Sequence, residues 1–195
     1  MSWWFWIVVV VVLIAGYLAA TSNRLDRLHG RLDVTRAALD AQLLRRAAVT
    51  LEIAASGLLD PATSVLLASA AHEARAGFGD DADREVVESR LTVALRAAFA
   101  DPDEAETLAA EPTGRELLSE LEAATRKVLL ARRFFNDAVT ATLAIRRYRQ
   151  VRWLRLAGHV SKPTFFEMDD GPPAHVRVEE PERNGEAPDL PADVD

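Results

Sequence analysis

The sequence predicts an all-α protein in which an N-terminal transmembrane helix continues into an antiparallel up-down bundle of three to four helices, with long first and last helices. Three observations lead to this prediction. Only 7% of the 195 residues are aromatic, and a chain dominated by Ala, Leu, Val and Arg favours helices over β-sandwiches and barrels. The chain begins with an apolar run long enough to cross a bilayer. Apolar residues then recur at helical spacing along the segments that follow.

The first predicted element is a membrane anchor over residues 1–20. Residues 3–20 carry no charge, and eighteen helical residues span about 27 Å, close to the hydrocarbon thickness of a bilayer. Tryptophans at one end and Tyr17 near the other match the aromatic belts of membrane interfaces. The alternative is a cleaved signal peptide, which requires positive charge before its apolar run. Here the arginines follow the run, so we expect a single-pass anchor in the cell membrane, with the N-terminus outside and the bulk of the chain in the cytoplasm.

Residues 21–167 are predicted to form a cytoplasmic helical bundle that begins with a long amphipathic helix continuous with the anchor. Its seam recurs at seven-residue spacing, which is typical of a coiled coil. The seam comprises Leu25, Leu28, Leu32, Leu39, Val49 and Ile53, with Thr35, Gln42 and Arg46 on the same ladder. Gly57 ends this helix, and Asp60-Pro61 opens a second helix to about Ala76 because Asp is a good N-cap and Pro suits the first helical position.

Two further segments complete the predicted bundle. Asp83 is expected to cap a third helix, and a short acidic stretch follows Asp101-Pro102. Thr113 and Glu116 form a capping box that opens the last helix, which is expected to run to about Ala157. The apolar face of the third helix comprises Val87, Leu91, Ala94, Leu95, Ala98 and Phe99. The seam of the last helix comprises Leu117, Leu121, Ala124, Val128, Ala131, Phe135, Ala138, Thr142 and Ile145.

The charge of the chain is unevenly distributed. Residues 121–167 carry a net charge of +7, whereas residues 168–195 carry −7 and contain five prolines. This acidic tail is predicted to be disordered because it has too few apolar residues to bury a core. The overall charge of −7 argues against a nucleic-acid-binding protein. The chain has no cysteine, which excludes disulfides, thiolate metal sites and thiol nucleophiles.

A polar layer is predicted inside the bundle. Gln42 and Arg46 lie on the ladder of the first long helix, and Asn136 on the last helix is expected to meet them across an antiparallel interface. Buried polar residues of this kind fix the register of coiled coils. The alternative is that the arginines extend to the surface and only Gln42 or Asn136 is partly buried.

A basic stretch is predicted at the end of the last helix. It comprises Arg146, Arg147, Arg149, Arg152, Trp153 and Arg155. Because an antiparallel last helix returns toward the membrane, we expect these side chains to contact anionic lipid headgroups, with each basic group contributing about 1 kcal/mol. A solvated helix face and a nucleic-acid-binding patch are the alternatives, and the net charge argues against nucleic acid.

The sequence predicts no catalytic, cofactor-binding or metal-binding residues. His72-Glu73 begins a zinc-protease motif, but Ala76 stands where the second histidine is required. Residues 81–85 have the spacing of a calcium loop, but Val86 occupies the position of its obligatory glycine. We therefore expect a protein that is not an enzyme.

Four short blocks carry a family resemblance. They are Leu39-Asp40-Ala41-Gln42-Leu43-Leu44-Arg45-Arg46, Ala74-Arg75-Ala76, Ala131-Arg132-Arg133-Phe134-Phe135-Asn136-Asp137-Ala138-Val139 and Lys162-Pro163-Thr164-Phe165-Phe166-Glu167. In their order and spacing, after an N-terminal anchor, they resemble the LemA family, and the chain looks like a divergent member of it. The resemblance implies a membrane-anchored helical bundle with no established enzymatic activity.

The expected function is that of a non-enzymatic scaffold or envelope-associated interaction protein. An accessory factor that modulates a membrane-bound enzyme and a membrane tether for nucleic acid are the alternatives. The expected partners are anionic lipids, an unidentified protein and further copies of the chain. Self-association is expected near the membrane through Leu25, Leu28 and Leu32, because two long helices alone leave their apolar stripe exposed there.

Overall fold

A computed structural model describes residues 3–76, 81–146, 163–173 and 176. Within these ranges it contains five helices and no strand, which confirms the predicted all-helical bundle. The helices are α1 (Trp3–Ala55), α2 (Pro61–Ala76), α3 (Asp81–Ala98), α4 (Pro102–Ala110) and α5 (Pro112–Arg146). Helix α4 corresponds to the acidic stretch that was not predicted to be helical.

Helix α1 is a single helix of 53 residues, about 80 Å long at 1.5 Å per residue. It continues without a break from the predicted anchor into the bundle, as the sequence predicts. It ends before Gly57, whose φ of +73° is a left-handed conformation that glycine adopts without the steric cost of a Cβ atom. The predicted end of the helix is therefore confirmed.

In the part of α1 that corresponds to the predicted anchor, the large apolar side chains are exposed, among them Trp3, Trp6 and Val10. The side chains of residues 14, 15 and 18–20 lie outside the described part of the chain, as do those of Leu25 and Leu28. Among the residues that the structure describes, no helix combines the length and the apolar character needed to cross a membrane.

Helix α2 begins at the predicted cap. The Asp60 carboxylate accepts hydrogen bonds from the backbone N–H groups of Ala62 at 2.8 Å and Thr63 at 3.1 Å. Hydrogen bonds from the side chain and backbone of Thr63 lower the pKa of Asp60, because they favour its charged form. The predicted N-cap is confirmed.

We expect the contribution of this cap to stability to depend on pH. Because the folded-state pKa of Asp60 is lowered, the contribution is present above its ordinary pKa of about 4 and is lost as the pH falls through the folded-state value. Asparagine caps helices about as well without titrating. Asp60→Asn should therefore reduce the drop in Tm between neutral and acidic pH, measured by circular dichroism. Asp137→Asn on an exposed site of α5 is the matched control, and an equal drop in Asp60→Asn and wild-type protein would contradict the expectation.

Two of the predicted helix starts need correction. Helix α3 begins two residues before Asp83, so this residue lies within the first turn and not at the cap. Helix α5 begins at Pro112, which places Thr113 within the first turn as well. Helix α5 begins one residue earlier than predicted because proline suits the first helical position. Glu111 therefore precedes this helix, and its carbonyl oxygen accepts a hydrogen bond from the Arg115 N–H at 3.0 Å.

The tight connection between α4 and α5 depends on a glycine. Asp101 caps α4 by accepting a hydrogen bond from the Asp103 N–H, and α4 then packs against the start of α5. A Cβ atom on Gly114 would collide with the carbonyl oxygen of Leu108. Only glycine allows the two backbones to approach this closely.

The core of the bundle consists of two clusters of buried residues. The larger one joins all five helices and includes the whole predicted apolar face of the third helix. The smaller one lies between α1, α5 and the C-terminal segment, and comprises Leu39, Leu43, Val128, Phe135, Val139, Phe166 and Met168. Most of the predicted α5 seam is buried, with Leu117 and Ala131 half-buried, whereas the side chain of Ile145 lies outside the described residues. The predicted continuation of this helix over residues 147–157 also lies outside them.

The C-terminal segment differs from the prediction. Residues 163–173, here called the strap, form neither helix nor strand and lie against α3 and α5. Phe166 and Met168 alternate with Glu167 and point inward, as side chains two residues apart do in an extended chain. The prediction that disorder begins at Met168 therefore needs correction, because these apolar side chains enter the core. Residues 177–195 of the predicted tail lie outside the described part of the chain.

Candidate functional site

The predicted polar layer is only partly formed, with Arg46 at its centre. The Arg46 side chain is fully buried, and its Nη2 lies 2.7 Å from the carboxylate of Glu88 on α3. It also donates to the carbonyl oxygen of Glu88 and to the hydroxyl of Thr92, each at 3.2 Å. The guanidinium therefore joins α1 to α3 through an ion pair and two hydrogen bonds. Sequence analysis did not identify Glu88 as its partner.

The other two predicted members of this layer lie elsewhere. Gln42 is half-buried on α1, and the bonds of Arg46 do not involve it or Asn136. Asn136 bonds to the backbone of Phe166: its amide donates to the carbonyl oxygen at 3.2 Å, and its oxygen accepts from the N–H at 2.9 Å. The prediction that these three residues meet is corrected, because the facing partner of Arg46 comes from α3 and not from α5.

The arginine next to Arg46 has a different environment. Arg45 is about half-exposed and pairs with Glu120 on α5, with Glu52 at 4.0 Å. Exposed pairs of this kind contribute little to stability. Of the two adjacent arginines, one is therefore an interior residue and the other a surface residue, a consequence of the helical rotation of about 100° between neighbours.

The strap is attached to both neighbouring helices by side chains that accept hydrogen bonds from its backbone. The Phe166 N–H points to Asn136 on α5, whereas the N–H groups of Glu167 and Asp169 point to Glu85 at 2.9 Å and Ser89 at 3.0 Å on α3. This alternation matches the two-residue period of an extended chain. Two ion pairs add to the attachment, Arg96 with Asp169 and Arg132 with Asp170.

Arg36 covers the outer side of the smaller core cluster. Its guanidinium carbon lies 5.4 Å from the ring centre of Phe135 and 5.9 Å from that of Phe166, within the range of cation–π contacts. The same side chain lies 3.6 Å from the carboxylate of Asp40. Arg36 thereby links α1, α5 and the strap.

The predicted basic stretch lies almost entirely beyond the described residues. Arg146 is the last residue of α5, and its side chain is not among those described. Arg147, Arg149, Arg152, Trp153 and Arg155 also lie outside the described residues. Contact of this stretch with lipid stays a prediction.

An open groove, here called the α2–α3 groove, runs along α2 and α3. It encloses about 610 Å³. Apolar and small side chains form most of it, and charged ones lie at its rim. The lining residues are Leu66, Ser69, Ala70, Glu73, Glu85, Val86, Ser89, Arg90, Val93, Ala94, Ala97 and Glu167.

The buried Arg46–Glu88 pair and the α2–α3 groove differ in what they can do, and the groove is suited to binding. The Arg46–Glu88 pair is sealed inside the bundle, where no substrate reaches it. In the α2–α3 groove, Arg90 lies 3.4 Å from Glu73, and Glu85 accepts the backbone N–H of Glu167. Within the described ranges, no three His, Asp or Glu side chains are placed to hold a metal ion. An apolar groove with a charged rim is suited to holding another molecule.

Two of the four sequence blocks that resemble the LemA family meet in the fold. The block at 131–139 contains Asn136, and the block at 162–167 contains Phe166. The Asn136 side chain forms two hydrogen bonds with the backbone of Phe166. The family itself stays a prediction from the sequence. Comparison of the chain with protein-family models, curated proteins and solved structures finds no match.

Proposed function

We propose that this chain is a membrane-anchored, non-enzymatic helical-bundle protein of the LemA type that acts as a scaffold, with the α2–α3 groove as its binding surface. The observation that carries the proposal is the continuity of α1, which links an uncharged N-terminal segment to the core of the bundle within one helix. Helix α1 is buried in the bundle at Leu39 and Ile53. An N-terminal segment that is inserted in a membrane therefore holds the whole bundle, with the groove on α2 and α3, at the membrane surface.

The character of the N-terminal part of α1 supports an anchor. Its described side chains from Trp3 to Leu13 are large, apolar and mostly exposed, with no contact to the bundle core. A contiguous apolar surface of this size is typical of a membrane or protein contact. In lipid the β-branched run at residues 8–12 is compatible with a helix, because every backbone group must be satisfied within the segment.

The distribution of positive charge supports a cytoplasmic bundle that touches the membrane surface. Arginines follow the apolar run, at positions 24, 27, 31 and 36, which favours retention of this side in the cytoplasm. Helix α5 packs antiparallel to α1, so its described end at Arg146 lies on the side of the bundle that the predicted anchor enters. Contact of the predicted basic stretch with anionic lipid is part of the proposal.

The arrangement of charged groups favours a scaffold over an enzyme. The buried pair Arg46–Glu88 and the strap ion pairs are used to hold elements together. The α2–α3 groove offers a surface for a protein partner instead. An accessory factor for a membrane-bound enzyme is a narrower form of the same proposal, since it too requires a docking surface on an anchored bundle.

Membrane anchoring gives the first test. We expect the full chain to stay in the membrane fraction after alkaline carbonate extraction, and a C-terminal tag to resist protease added to intact cells. Val10→Arg combined with Val11→Arg should release the chain, because each arginine in a membrane helix costs about 2.5–3.5 kcal/mol. Val65→Arg combined with Phe134→Arg, at exposed sites on α2 and α5 outside the groove, is the matched control. Release of the wild-type chain by carbonate would contradict the anchor, and loss of the tag in intact cells would contradict the orientation.

A further inference from the structure

We infer that the α2–α3 groove docks an amphipathic helix of a partner protein whose apolar face is flanked by basic residues. The inference rests on the proposed scaffold function and names the chemistry of its partner. It follows from the shape of the groove, from the apolar side chains exposed in it and from the charge at one of its ends.

The shape of the groove matches a helix. On α3 its lining residues Val86, Arg90, Val93 and Ala97 recur every three or four positions, so they form one straight face about 17 Å long. A partner helix of about 12 residues has this length. Between α2 and α3 the floor consists of small side chains, which let a partner backbone approach closely. These are Ser69, Ala70, Ser89 and Ala94.

The apolar side chains in the groove are not explained by the core. Helix α3 already buries one apolar face, including Leu91 and Leu95. Val86 and Val93 lie on a different face and are 50% and 52% exposed, and Leu66 across the groove is 44% exposed. Apolar anchors at this spacing on two neighbouring helices are what a helix-in-groove complex uses.

The charge at one end of the groove selects the partner. Glu73 lies near the end of α2 and Glu85 near the start of α3, so both lie at the end where these antiparallel helices are connected. Glu167 of the strap joins them, and Arg90 supplies the single positive charge among the lining residues. The three carboxylates leave an excess of negative charge, which favours basic residues on the partner and repels acidic segments and anionic lipid.

The test is a selection of peptides on the purified full chain in detergent. The probe is a display library of 16-residue helical peptides with apolar residues at one face and Lys, Glu or Ser at the flanking positions. We expect peptides with lysine flanks to be enriched about tenfold or more over those with glutamate flanks, a difference that about 1.4 kcal/mol of charge complementarity produces. The enrichment should decline with salt, because exposed charges are screened.

Two pairs of variants assign the binding to the groove. Val93→Asp should weaken the best peptide about tenfold or more, whereas Val65→Asp, at an exposed position of α2 outside the groove, should leave its Kd within about twofold. Glu167→Lys replaces one of the three carboxylates of the lining by a second positive charge, which balances the two carboxylates that remain, so it should abolish the preference for lysine over glutamate flanks. Glu106→Lys on the exposed side of α4 should leave the preference unchanged. Circular dichroism verifies that each variant has the helicity of the wild type.

Three results would overturn the inference. They are selected peptides that bind Val93→Asp as well as wild-type protein, a selection without preference for basic flanks, and self-association of the chain that Val93→Asp abolishes while no peptide binds. The last result would assign the groove to a second copy. None of these readouts depends on membrane insertion, so a failed anchor and a failed groove are distinguishable.

Discussion

Glu88→Gln is expected to lower the free energy of unfolding by about 3–5 kcal/mol, because it leaves a charged guanidinium buried without its counter-charge. Arg46 and Glu88 are each only 1% exposed, so water cannot replace the lost carboxylate. The expected loss is a large share of the total stability of a typical domain. Urea unfolding of the full chain in detergent, followed by far-UV circular dichroism, measures it.

The adjacent arginine provides a matched control. Glu120→Gln removes the carboxylate that faces Arg45, but that pair is exposed on both sides. The same chemical change there should cost no more than about 1 kcal/mol. Equal losses in Glu88→Gln and Glu120→Gln would contradict a special role of the buried pair.

Removing both buried charges tests whether the pair is needed to stabilise the fold or to select the arrangement of its helices. Arg46→Met combined with Glu88→Leu replaces the pair by apolar side chains of similar volume, which in other proteins is often neutral or stabilising. We expect the double variant to recover most of the stability that Glu88→Gln loses. If it also keeps the ordered packing of α1 against α3, the pair is not needed to select the arrangement of the helices.

The sequence predicted Arg46 better than its partner, for a physical reason. The seven-residue ladder of the first helix places Arg46 in line with Leu39 and Ile53, and these three side chains are buried together. Glu88 lies between Val87 and Leu91, at the edge of the apolar face of α3. That position was a usable signal, but an acidic residue at the edge of an amphipathic helix is usually solvated. Whether Glu88 is buried or solvated is decided only by the packing of α3 against α1.

The strap was harder to predict because a segment that is neither helix nor strand has no hydrogen-bond ladder of its own. Its backbone partners Asn136, Glu85 and Ser89 are side chains 30 to 82 residues away in the sequence. Composition after Met168 is acidic and rich in proline, which predicts disorder when averaged over a long window. The alternation of Phe166 and Met168 with polar residues was the local signal of an inward-facing edge.

The strap gives the second large effect. Phe166→Ala is expected to cost up to about 3–5 kcal/mol, because the ring is 1% exposed in the smaller core cluster and its removal leaves a cavity. The cost to global unfolding has a limit, since the strap detaches locally once its remaining contacts cannot hold it. Hydrogen exchange therefore reports the change best: the N–H groups of Phe166, Glu167 and Asp169 should lose protection at least about tenfold.

The neighbouring residue Phe165 tests whether the strap is held by a buried ring or by any phenylalanine in this part of the sequence. Phe165→Ala removes the same ring from a side chain that is 43% exposed, so it should leave the protection of the strap nearly unchanged. Asn136→Ala keeps both rings but removes the two hydrogen bonds to Phe166, at about 0.5–1.5 kcal/mol each, and should release the same amides. If Phe165→Ala and Phe166→Ala behave alike, or if Asn136→Ala leaves the amides protected, the strap is not held by the inward ring and the asparagine together.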